Sequence, residues 1–125
     1  MITKIWILIN FLLYVSIGFL TLFKPESVAS TVGYILSAPV AYAELKACYG
    51  GLMIVIGVIM LYLLKTDANN GLLFIAIIYL GFGTGRLFGI LFNHAFDNTT
   101  LIYFTIEAFS TIFSYILYLR NIKLN

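Results

Sequence analysis

Gly81-Phe82-Gly83-Thr84-Gly85-Arg86-Leu87-Phe88-Gly89 lies late in a long apolar segment, and the fold turns on how that segment houses Arg86. A permanent cation at membrane depth is costly and is normally kept only against a partner. Gly81, Gly85 and Gly89 recur every four residues beside it, a spacing that lets another helix approach closely. The sequence therefore predicts that this glycine series packs the third helix inside its own bundle, with a dimer seam as the lesser reading. Glu44 and Glu107 are the expected partners of Arg86.

Working outward, three more apolar runs flank the stretch. The runs cover about Ile5–Phe23, Val40–Leu64, Gly71–Phe92 and Leu101–Leu119. Each is close to the roughly 20 residues that cross a hydrocarbon core. With 62% hydrophobic and 10% charged residues, the apolar surface exceeds what an interior of this size can hold, so the surplus must face lipid. The runs are continuous and not alternating, which argues against a membrane barrel. The connections Lys65–Asn70 and Asn93–Thr100 are short, so neighbouring helices are antiparallel. The predicted fold is all-α: one integral membrane domain over residues 1–125, built as a four-helix up-down bundle. Met1–Phe23 reads as a retained helix, since Phe23-Lys24-Pro25 offers no small-residue cleavage site. In Lys24–Pro39, Pro25 and Glu26 suit a helix start, and Val28, Val32, Ile35 and Leu36 fall at helical spacing. A short amphipathic helix, on the bilayer surface or tucked into the bundle mouth, is expected there.

The charges exclude several classes. A net charge of +2, scattered along the chain, does not suit nucleic acid. Cys48 is alone, so neither an internal disulfide nor a thiolate metal cluster can form. It is expected to be a small buried residue without a nearby base. His94 and Asp97 are too few for a metal site. No phosphate loop, haem motif or metalloprotease motif occurs, and no cofactor is indicated.

Lys4, Lys65, Arg120 and Lys123 fall on one side of the predicted bundle, and Asn93–Thr100 on the other has no Lys or Arg. Both termini are therefore expected in the cytoplasm, with the protein integral to the inner membrane. That orientation puts Glu44, Arg86 and Glu107 roughly 6–9 Å below the outer boundary. Polar stripes are expected to face the interior: Asn10, Tyr14, Gly18 and Thr21 on the first helix, and Tyr103, Glu107, Thr111, Ser114 and Tyr118 on the fourth. On the second helix, Glu44, Cys48, Gly51 and Val55 are expected to do the same, with Gly50 beside them. Two carboxylates against one guanidinium leave a surplus negative charge, which a proton, a cation or a ligand would complete.

Ala43-Glu44-Leu45-Lys46-Ala47-Cys48-Tyr49-Gly50-Gly51, then Gly85-Arg86-Leu87-Phe88-Gly89 and a Glu in the last helix, resemble the bacterial family called domain of unknown function 4345. Its members are small four-span membrane proteins, and the architecture is also similar to DoxX-like four-helix proteins. The resemblance implies shared roles for Glu44, Tyr49, Gly50, Gly51, Arg86 and Glu107. Lys46 stands where the family motif carries Arg, and a lysine cannot reproduce a bidentate contact. The resemblance implies no activity.

The functional expectation is therefore built from residues. A lipid-like, quinone-like or other small amphipathic molecule would place its head on Arg86, with Glu44 and Glu107 positioning it. Tyr49, Tyr103 and Thr111 would supply neutral hydrogen bonds, and the glycines would leave room. Chemistry on that ligand is left open. The alternatives are an accessory subunit of a larger membrane complex, in which the charges only fix helix register, and proton-coupled transport by a homo-oligomer.

Overall fold

The computed structural model describes residues 1–124 as an all-helical bundle. Helix α1 covers Ile2–Phe23 and α2 covers Pro25–Thr31. The second long segment is α3 (Pro39–Leu45), a π turn (Lys46–Gly51) and α4 (Leu52–Thr66) in direct succession. Helices α5 (Ala68–Asn93) and α6 (Asn98–Leu124) complete it. Ile2–Phe23, Pro39–Thr66, Ala68–Asn93 and Asn98–Leu124 are each long and apolar enough to cross a membrane. Only 22–28% of the most apolar window of each is buried, so most of their side chains need lipid as solvent. One end of the bundle carries both termini and the Asp67 turn. The other carries the 24–38 and 94–97 connections and is called the loop end below.

Local chemistry sets the helix boundaries. Pro25 and Pro39 stand in the first turns of α2 and α3, where a missing N–H is harmless. Helix α2 buries Val28 and Ala29 and exposes its serines, as its amphipathic pattern predicts. It stops at Gly33, whose φ of 75° favours glycine. There Tyr34 N–H donates to Ala29 O at 2.8 Å and Gly33 N–H to Ser30 O at 3.4 Å, the paired bonds of a Schellman stop. Asp67 caps α5 by accepting from Asn70 N–H at 3.0 Å. Asp97 caps α6 in the same way, and the Thr100 hydroxyl, followed by its backbone N–H, holds the Asp97 carboxyl below its usual range.

Packing divides the bundle into two close pairs, α1 with the second segment and α5 with α6. In the first pair the backbones nearly touch. A Cβ on Gly18 would lie 2.9 Å from Gly50 O and 2.5 Å from Ile54 Cγ1, and one on Gly57 would lie 2.6 Å from Val15 Cγ2. Gly50 thus sits at a close helix contact, where a Cβ would lie 2.7 Å from Leu22 Cδ2. Gly51 is exposed and meets only its own helix, so the packing role expected of it is not seen. The two pairs meet around Ile7, Met60, Leu72 and Ile75, all fully buried. Polar side chains tie them there: Trp6 Nε1 donates to Ser114 Oγ at 2.8 Å, and the Tyr79 hydroxyl to Asn10 Oδ1 at 2.8 Å. The interior stripe predicted on α1 is present, with Asn10, Tyr14, Gly18 and Thr21 all buried.

The second segment differs from expectation in which of its faces is buried, and a π turn changes its phase near the loop end. Its buried face is Leu45, Gly50, Met53, Ile56, Gly57 and Met60. In an uninterrupted α-helix, position 46 would fall on that face, within about 40° of Gly57 and Met60. Lys46 would then be driven against α1. A π turn inserts one residue and rotates everything before it by about a third of a turn. Leu45 takes the inward place. Glu44, Cys48, Gly51 and Val55, which lie opposite the Met53, Gly57 and Met60 face even in a regular helix, are all exposed. Cys48 is thus exposed, not buried.

Candidate functional site

The site forms where α5 and α6 face each other toward the loop end. Arg86 Nε donates to Glu107 Oε2 at 2.9 Å and Nη2 to Oε1 at 2.8 Å. This side-on bidentate pair is the strong geometry for guanidinium and carboxylate. Gly83 faces Glu107, and a Cβ there would lie in ordinary contact with Glu107 Cβ at 3.6 Å. Tyr103, one turn before Glu107 on α6, puts its ring face 5.1 Å from the guanidinium carbon.

Glu107 is 7% exposed, while the Arg86 side chain is 27% exposed. That difference matters chemically. Guanidinium has five N–H donors, and the pair occupies two. The three that remain belong to the partly open residue. The buried carboxylate holds the cation in place, and the cation still has donors for an incoming acceptor.

The open side borders the glycines. Gly71 and Gly89 are eighteen residues apart, five whole turns, so they share a face of α5. A Cβ on Gly71 would meet Ile7 Cδ1 at 3.0 Å and Leu63 Cβ at 3.4 Å, so this face points toward α1 and α4. At Gly81, Gly85 and Gly89 a Cβ would meet nothing within 4 Å. The expected packing of these three within the bundle is therefore corrected. The second segment packs on α1 through the π turn and α4, while α5 packs mainly on α6 and meets α4 and α1 to a similar, smaller extent. Gly81 and Gly85 are exposed and Gly89 half-buried, so the three glycines line an uncovered face of α5.

Glu44 is not brought to Arg86. It is exposed and lines a separate pocket of about 320 Å³ with Tyr34, Ile35, Cys48 and Tyr49. The three-charge cluster becomes one neutral pair, and the surplus negative charge expected from the sequence disappears with it. Tyr49 joins the two regions. It is half-buried, packs edge-on against Tyr34 with centroids 6.2 Å apart, and lies within electrostatic reach of Arg86. The Schellman stop after α2 is what delivers Tyr34 to it. Thr111 donates its hydroxyl to Glu107 O at 2.8 Å, which leaves it no free donor for a ligand. The fourth-helix stripe is otherwise inward, with Glu107 and Ser114 buried and Tyr103 and Tyr118 half-buried. Ser110, also buried, was legible as the residue one turn beyond Glu107 but was not singled out. No group of metal-ligating side chains occurs among the described residues.

Compared with known proteins, residues 2–118 match a family model described as Domain of unknown function (DUF4345). No curated protein and no solved structure matches the chain.

Proposed function

Starting from the chain's membership of the DUF4345 family, whose description assigns no reaction, we propose that this membrane protein binds a small amphipathic molecule through the spare N–H donors of Arg86. The observation that carries the reading is the coincidence of an anchored, partly open guanidinium with an uncovered glycine face beside it. A lipid-like or quinone-like ligand would lay its apolar body along Gly81–Gly89 and offer a carbonyl, ester or phosphate oxygen to Arg86. Glu107 fixes the cation, Tyr103 supports it from below, and Tyr49 closes the site toward the Glu44 pocket. Because Arg86 and Glu107 cancel, a neutral or singly charged head fits better than a multiply charged one. We place the loop end outside the cytoplasm, from the Lys and Arg distribution.

A second reading rests on the same glycines. A partner helix, from another copy or from a larger complex, could pack on Gly81, Gly85 and Gly89. Native mass spectrometry of gently extracted protein separates the two when wild type is compared with Gly85→Leu. A Cβ at this exposed position meets nothing within 4 Å, so the fold should persist. Ligand binding predicts a small-molecule adduct on the wild type that Gly85→Leu loses. The partner reading predicts loss of a protein subunit instead. An unliganded monomer in both samples would refute both.

A further inference from the structure

At the opposite end, the first turns of α1 and the last turn of α4 enclose a groove of about 390 Å³ lined by Lys4, Ile5, Leu8, Leu64 and Lys65. Both lysines are exposed, and Ile5 and Leu8 remain 50% and 42% exposed. The groove thus has two ammonium groups at its rim and an aliphatic floor running toward the bilayer centre. The end as a whole carries four cationic side chains, Lys4, Lys65, Arg120 and Lys123, and one acidic side chain, Asp67. Asp67 is already committed: its Oδ1 accepts from Asn70 N–H at 3.0 Å and its Oδ2 from Asn70 Nδ2 at 2.8 Å. Neither lysine has an ion-pair partner among the described residues.

We infer that this groove binds one anionic phospholipid, with its phosphate between Lys4 and Lys65 and an acyl chain over Ile5, Leu8 and Leu64. Lysine stems lie along apolar surface and present their charge at headgroup level, where a compact cation serves a phosphate well. Two uncompensated ammonium groups select a lipid with net negative charge over a zwitterionic one. Leu8, one turn below Lys4, is about 6 Å deeper, where the first methylenes of a chain would lie. The site is independent of Arg86, which sits toward the other end of the bundle.

Delipidated protein titrated with phosphatidylglycerol or chain-matched phosphatidylcholine, and read by native mass spectrometry, tests this. One phosphatidylglycerol should bind roughly ten- to thirtyfold tighter than phosphatidylcholine. Lys4→Gln/Lys65→Gln should abolish that preference, and Lys4→Arg/Lys65→Arg should keep it. Arg120→Gln/Lys123→Gln removes the same charge from the same end and should also keep it. Equal binding of the two lipids by the wild type would overturn the proposal, even if the glutamine variant failed to insert. So would equal loss in both charge-removing variants, which would mean diffuse attraction. Displacement of the lipid by millimolar inorganic phosphate would identify a phosphate site without a lipid and overturn it as well.

Discussion

Gly71 and Gly89 occupy the same face of one helix and meet opposite surroundings. Around Gly71 the bundle is closed, with Ile7 and Leu63 against the backbone. Around Gly89 there is open space, and one turn away Arg86 keeps spare donors. In the closed region polar side chains bridge the helices: Trp6 bonds Ser114, Tyr79 bonds Asn10, and Asn121 bonds Thr3. In the open region the pair gives each Glu107 oxygen a donor and uses two of the five donors of Arg86. One half of the bundle is therefore arranged for stability, and the other leaves unsatisfied a hydrogen-bonding capacity that lipid tails cannot meet.

Substitutions should break this contrast unequally. The largest effect belongs to Arg86→Met, which strands the buried Glu107 carboxylate. It should destabilise the protein by about 3–5 kcal/mol, read as a lower melting temperature by circular dichroism in mild detergent. Next is Gly18→Ala in the closed pair, where the new methyl meets the Gly50 carbonyl. A loss of about 1–3 kcal/mol is expected. Gly85→Ala at the open face should instead be neutral or stabilise by up to about 1 kcal/mol, since the helix gains a better former and nothing is displaced. A melting temperature lowered as much as by Gly18→Ala would mean that the open face is closed in the membrane. The smallest effect is Glu44→Gln, expected within about 0.5 kcal/mol because the exposed carboxylate holds no ion pair. A large loss there would restore Glu44 to the charged cluster.

Much of the fold was legible in the sequence, and the illegible part has identifiable physical causes. Continuous apolar runs gave the four spanning helices, and Pro25, Glu26 and Val28 gave the short α2. Arg86 and Glu107 were paired by depth alone, because a charge in lipid has few other places to go. Two things were hidden. The π turn at Lys46–Gly51 has no periodicity signal of its own, and the stripe through Glu44, Cys48, Gly51 and Val55 lies opposite the Met53, Gly57 and Met60 face that is buried, so a phase set on Glu44 selects the wrong side of the helix. Helical phase also cannot say whether a small-residue stripe is filled. Gly18 and Gly81 look alike in sequence, and only their surroundings in the folded bundle distinguish them.

The most direct test is an experimental structure determined in lipid, with the map inspected beside Arg86 before any ligand is built. The expected result is elongated density along Gly81, Gly85 and Gly89 that ends at the guanidinium. The contrary result is a bundle closed at both ends, with side chains from the second segment against those glycines and Arg86 sealed beneath them.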